Sequence, residues 1–285
     1  MTFIQYLQSK KYSSVTVSRY EIYSKRFLTW LREGELTAET FTYSDLLEFM
    51  RYCNNNGITK RTVHNILCIV RHYCNFLISE KKRTDNPAAG VFIKGLVRKL
   101  PTNLLSAEEM EELYKQYSIQ LNVDSAKKIM LGLMIYQGLS VGDIMRLQAH
   151  HIKIKDGKIL VKATKRTGER LLNLQAVQLP ELQQYLTQNK FKEGSLFIEQ
   201  KGKELSERNI NNRIKYMFDQ LRKLNPKIIN AKQIRSSVIT HWLRTNNLRQ
   251  VQYLAGHKYV SSTERYLTSN LDDLQNELQQ HHPMS

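Results

Sequence analysis

Apolar residues recur at helical spacing through most of this chain, a period that admits little besides α-helices packed through one face. Counted from Tyr20, the residues Tyr23, Phe27, Trp30 and Leu31 stand at offsets of 3, 7, 10 and 11, predicting a helix from Ser14 to about Gly34. A second helix is expected after Ser44 as N-cap, with Leu46, Leu47, Phe49 and Met50 inward until Asn54-Asn55-Asn56-Gly57 breaks it. A third, opened by Thr59, places Val63, Ile66, Leu67, Val70, Tyr73 and Leu77 on one side. Its other side carries Lys60, Arg61, His64, Arg71 and His72, either a solvated surface or a contact face for a polyanion.

The helical period fails twice. Between Glu80 and Lys99 it is broken by Lys81-Lys82-Arg83-Thr84-Asp85-Asn86-Pro87 and then by Gly90 and Gly95, as in a linker. This divides the chain into a helical domain over 1–85, a linker over 86–100 and a second domain over 101–285. From His151 to Leu174 the period shortens to that of strands. Ile152 and Ile154, an Asp156-Gly157 hairpin turn, Ile159 and Val161, a polar turn from Thr164 to Gly168, and Leu171-Leu172 predict a small three-stranded antiparallel sheet. Helices are expected around it: after a Ser106–Glu109 capping box, from Lys128 to Tyr136, after Pro180, through Ile210 to Leu221, from Ile234 to Leu243, from Leu248 to Leu254, and from Leu271.

Charge narrows the partner. The chain has 43 Lys and Arg against 26 Asp and Glu, a net +17 that favours nucleic acid. Residues 1–100 hold 16 basic and 8 acidic side chains and the remainder 27 and 18, so both parts are positive and suit a clamp on duplex DNA. No window approaches the ~20 apolar residues of a membrane span, and the opening MTFIQYLQSKKYSS is too polar for a signal peptide. Cys53, Cys68 and Cys74 lack metal or disulfide spacing and read as reduced core residues of a cytoplasmic protein. The tandem pairs His150-His151 and His281-His282 have no Cys or acidic residue at ligand spacing, so no metal is expected.

The chemistry is concentrated near the C-terminus. Gln233-Ile-Arg235 is followed 22 residues after the arginine by His257 in Leu-Ala-Gly-His, and 9 residues after that by Tyr266. These residues and spacings closely resemble the C-terminal motif of the tyrosine recombinases, the phage integrase and Xer-like class. The resemblance covers almost the whole chain. It implies a mainly α fold: an N-terminal SAM-like core-binding domain, then an α-rich catalytic domain with the three-stranded sheet. It further implies that Tyr266 is the nucleophile, that Arg235 and His257 hold the scissile phosphate, and that Lys165, in the turn between the second and third strands, protonates the leaving 5′ oxygen. Such chemistry needs neither metal nor ATP, because a phosphotyrosine conserves the bond energy. Lys162 and Arg166 are neighbours that could be confused with Lys165.

Two positions depart from the family pattern. Lys232-Gln-Ile-Arg235 carries Lys where the family's H-x-x-R has His, an accepted variant. Gln137-Gly-Leu-Ser140-Val-Gly-Asp143 matches the element Gly-Leu-Arg-x-x-Glu, so the first catalytic arginine is Ser140 here. Either another cation, with Arg146 the nearest, takes its place, or the protein is a degenerate DNA-binding relative. Ser140 and Asp143 also satisfy one another as a capping-box pair.

The resemblance implies a recombinase exchanging strands through a Holliday junction, as a homotetramer on two sites of double-stranded DNA with inverted half-sites. It leaves room for a paralogue or accessory protein as a partner, and places the protein in the cytoplasm, on the nucleoid. The leucine stripe Leu271, Leu274 and Leu278 on a helix over 271–281 is expected to serve assembly. The rivals are a non-catalytic accessory protein of the same fold and an enzyme of the type IB topoisomerase kind.

Overall fold

Local capping sets where the helices begin. The computed structural model describes residues 1–96, 103–120, 124–189, 194–197 and 206–267, and the chain divides into two units, Met1–Arg98 and Lys99–Ser285. The first unit holds α1 (Phe3–Ser9), α2 (Ser14–Glu33), α3 (Tyr43–Asn55) and α4 (Lys60–Ser79). The short α1 lies outside the sequence expectation: only Leu7 is buried on it, and the Phe3 and Tyr6 rings pack 5.6 Å from Phe76. α3 begins earlier than expected, because Thr42 rather than Ser44 caps it through reciprocal bonds with Asp45. Phe27 meets Phe41 and Phe49 edge-on at 5.1 and 5.0 Å, with Leu46, Ile66 and Leu67 filling the space between helices. Leu47 and Met50 are only half-buried.

The segment read as a linker packs in large part on this first core. Arg83 is buried, donates to the carbonyls of Ala38 at 3.0 Å and Phe41 at 2.7 Å, and pairs with Asp85. Ala88 and Val91 are buried in the same core, and Arg71 donates to both of their carbonyls. These ties join polar side chains to backbone oxygens, which apolar periodicity does not register.

In the second unit, α6 (Ser125–Tyr136) is buried along nearly its whole surface. α5 (Ala107–Gln120), α8 (Leu179–Asn189), α9 (Glu207–Leu224) and α10 (Ala231–Thr245) pack around it. Ser106 and Glu109 form the expected box before α5. The sheet has the order β1 (Ile152–Lys153), β2 (Lys158–Val161), β3 (Arg170–Asn173), antiparallel throughout. β1 is shorter than expected because Ile154–Asp156 form a 3-10 turn that closes on Gly157 at φ +59°. Ile159 lies opposite Leu172, and Val161 opposite Arg170, so a charged residue stands on the buried face of the sheet.

Three short pieces complete the site: α7 (Val141–Ile144), α11 (Leu248–Ala255) and the helical residues 261–267. The leucine helix over 271–281 and His281-His282 lie outside the described residues. Among the described residues no helix is long and apolar enough to cross a membrane, and no cluster of His, Cys, Asp and Glu could hold a metal. All three cysteines are free; Cys53 and Cys74 are buried, and burial pushes the Cys74 thiol up to about 11. Cys68 departs from the expected core position: it is half-buried, with its Sγ 3.6 Å from His64 Nε2.

Candidate active site

Arg235 lies on α10, whose first turn is capped by the Asn230 side chain. Its Nη1 donates to the Gly138 carbonyl and its Nη2 to the Ala255 carbonyl at 2.6 Å, which fixes the guanidinium between two loops. Gly138 sits at φ +58°, where a Cβ would come within 3.0 Å of the Trp242 ring, so the loop that orients Arg235 requires glycine.

Gly256 ends α11 in the left-handed conformation and delivers His257 to the same side. The His257 ring packs on Tyr266, centroids 5.9 Å apart and planes 18° from parallel. Its Nδ1 is 2.9 Å from the hydroxyl of the fully buried Thr263, which leaves Nε2 for another partner. Burial, and then the charges of Arg235, Arg170 and Arg265, pull the His257 pKa down to about 4, so the imidazole is neutral at pH 7. Tyr266 is half-buried against Ile239, Val251 and Ala255 and lies within electrostatic range of Arg235.

The turn bearing Lys165 docks on this segment. Gly168 N donates to Gly256 O at 3.1 Å, and Thr167 pairs with His257 in an antiparallel bridge. Inside the turn the Thr164 hydroxyl accepts from the amides of Arg166 and Thr167. Lys165 and Arg166 are exposed at its tip, whereas Lys162 is paired with Glu169 at 3.2 Å. Lys232 is exposed one helical turn before Arg235.

Sequence reasoning missed Arg170. Its side chain is 0% exposed and pairs with Asp143, itself 1% exposed, at 3.1 Å. Ser140 adds its amide at 3.0 Å and its hydroxyl at 2.7 Å to the same carboxylate oxygen. Burial alone would raise the Asp143 pKa, but Arg170, the Ser140 bonds and the Arg235 charge together hold it below the ordinary value. A Cβ on Gly256 would come within 2.4 Å of Arg170 Nη1, so the His257 loop and the buried ion pair interlock. The signal was available in the alternation: Arg170, Leu172 and Leu174 share one face, and a charged residue there needs a buried partner.

On α4 the basic face separates into two parts. Arg71 is committed to the Ala88 and Val91 carbonyls, and its guanidinium lies 5.0 Å over the Phe92 ring. His72 packs against Tyr12 and Tyr20 at 5.7 and 5.4 Å, and burial lowers its pKa. His64 is half-buried beside Cys68. Lys60 and Arg61 remain exposed at the start of the helix.

Residues 103–272 match the phage integrase family and residues 1–81 its N-terminal SAM-like domain. The tyrosine recombinase XerC of Bacillus pumilus (strain SAFR-032) is 25% identical over 295 residues, spanning 99% of this chain and 95% of that protein. In fold the chain is similar to the Tn1549 transposon integrase solved with transposon right end DNA, with a TM-score of 0.72 at 14% identity over 97% of this chain and 99% of that one. A lambda integrase tetramer bound to a Holliday junction matches with a TM-score of 0.69 at 18% identity, covering 93% of this chain and 74% of that one. With two family signatures spanning most of its length, this chain belongs to the phage integrase family, the tyrosine recombinases.

Proposed function

We propose that this protein is a site-specific DNA recombinase that breaks and rejoins strands through a 3′-phosphotyrosine on Tyr266 and a Holliday junction. It works as a homotetramer on two duplex sites with inverted half-sites, in the cytoplasm and on the nucleoid. The observation that carries the reading is the convergence of Tyr266, His257 and Arg235 from three separate elements, with the Lys165 turn docked on the His257 segment. The solved relatives named above, one on transposon end DNA and one as a tetramer on a Holliday junction, support the DNA partner and the assembly.

In this reading the Tyr266 oxygen attacks phosphorus, the bond to the 5′ oxygen breaks, and Lys165 protonates that oxygen. Arg235 and the His257 ring donate to the non-bridging oxygens, where negative charge develops. Lys232 adds positive charge one helical turn away.

Incubating the protein with a plasmid that carries two copies of the DNA flanking its gene should give recombined circles, and the Tyr266→Phe variant none. Relaxation of supercoils without exchange would favour a topoisomerase. Specific binding with neither reaction would favour an accessory protein, the reading that Ser140 supports.

An incoming phosphate offsets the arginine charges around His257, so DNA binding should draw a proton onto the ring. Binding should then tighten as pH falls from about 6.5 towards 5. Calorimetry in two buffers of different ionisation enthalpy reads the proton uptake; identical observed heats in the two buffers would contradict it. Without DNA the sign is opposite: the unfolded chain takes up a proton that the folded ring refuses, so stability declines over the same range.

In the first unit, Lys60→Ala and Arg61→Ala should each weaken DNA binding and lower the salt slope by about one. Fluorescence anisotropy over a salt series measures both, and unchanged slopes would remove this face from the interface.

A further inference from the structure

Arg146 lies six residues after Ser140, which on a continuous helix would separate the two. The helix is not continuous: α7 ends at Ile144, and residues 145–146 form a turn. The Arg146 guanidinium folds back over Gly142. The point where a Gly142 Cβ would stand lies 3.4 Å from Arg146 Nη1 and 3.9 Å from Ser140 Oγ. The Arg146 guanidinium thus lies beside the turn that carries Ser140.

Its electrostatic setting leaves it available. Asp143 is the carboxylate that could claim Arg146, and it already holds Arg170 at 3.1 Å together with two Ser140 bonds. The contact between Arg146 and Asp143 is long, at 3.4 Å, and the Arg146 side chain is 48% exposed. Arg170 is fully buried. Arg146 and Arg170 contact one carboxylate and Arg235 lies within electrostatic range of it, so the three arginines and Asp143 carry a net charge of about +2 that a phosphate would offset. The exposed side of Arg146 opens on a cleft of about 450 Å³ that it lines with His150, His151 and Lys162, the last paired with Glu169.

We propose that Arg146 is a catalytic residue: it supplies the guanidinium that contacts the scissile phosphate where the family pattern has an arginine and this chain has Ser140. Arg170 and Ser140 satisfy Asp143, and Asp143 tethers Arg146 loosely enough to turn towards the phosphate. Gly142 provides the space in which the side chain folds back. This inference rests on the strand-transfer reading above.

The test uses the full-length protein and a pool of 5′-labelled nicked duplexes tiling the DNA on both sides of its gene, and follows formation of the SDS-resistant adduct. Arg146→Ala should slow adduct formation by about 100-fold or more while binding to the same pool stays within a few-fold. Adding Ser140→Arg to Arg146→Ala should recover at least about tenfold, a rescue that a purely structural role for Arg146 would not give. If Arg146→Ala does not fold, Arg146→Gln, which keeps the stem over Gly142, takes its place in both measurements. A native protein that forms adduct and an Arg146 variant that matches its rate would overturn the inference and leave the strand-transfer reading intact. A slowed variant without rescue would make Arg146 a positioning residue and likewise overturn it. Absence of adduct from the native protein would overturn the strand-transfer reading and this inference with it.

Discussion

Replacing Arg170 with Met should destabilise the catalytic unit by about 3–5 kcal/mol, although the change adds apolar surface to an apolar layer. The reason is Asp143. Its side chain is 1% exposed, and the Arg170 guanidinium is its only fully buried ionic partner among the described residues. Without that charge less opposes the burial that raises the carboxyl pKa, so the pKa should rise from its native value. In the native protein the depressed pKa adds stability above the ordinary carboxylate range, and that stability is lost as pH falls through it. In the variant that contribution shrinks, so the gap between the two proteins should be widest near neutral pH and should close in acid. Urea unfolding at several pH values measures it. Adding Asp143→Asn removes the orphaned charge and should recover a substantial part of the loss. Equal instability of the single and double variants would show that the ion pair is not the cause.

Arg235→Ala should slow covalent attachment to DNA by about 10²–10³-fold, with half-site binding nearly unchanged. The guanidinium has five N–H groups; one bond to Gly138 O and one to Ala255 O aim it and leave three for a phosphate. Arg235→Lys should not restore the rate, because an ammonium cannot hold both carbonyls and the phosphate oxygens in one plane. Single-turnover kinetics on a nicked duplex would read the effect. A lysine variant at native rate would mean that charge alone, not the fork, is what Arg235 contributes.

Much of this was legible in the sequence, for identifiable reasons. α2 and α4 are long and one-sided, so their ends at Gly34 and Thr59 followed from period and capping. The sheet followed from the change of period at Ile152, with only β1 and its turn misjudged. The spacing from Arg235 through His257 to Tyr266 pointed to the candidate site because its residue types are informative only in combination. Contacts between distant positions were hidden. Arg83 and Arg71 look like surface charges in sequence, yet each is tied to backbone carbonyls. Arg170 belongs to the same class, since its partner Asp143 is 27 residues away on another element. His72 illustrates the converse: a residue on a basic face is taken up by an aromatic cluster that only the packing of α2 on α4 creates.

With Ser140 in place of an arginine, the protein is still expected to transfer a DNA strand to Tyr266. The most direct measurement is an SDS gel of the purified protein mixed with labelled fragments flanking its gene, comparing the native chain with Tyr266→Phe. A covalent protein–DNA band is expected in the native lane and absent from the Phe lane. Specific binding without any covalent band, or a band that persists in Tyr266→Phe, would contradict it.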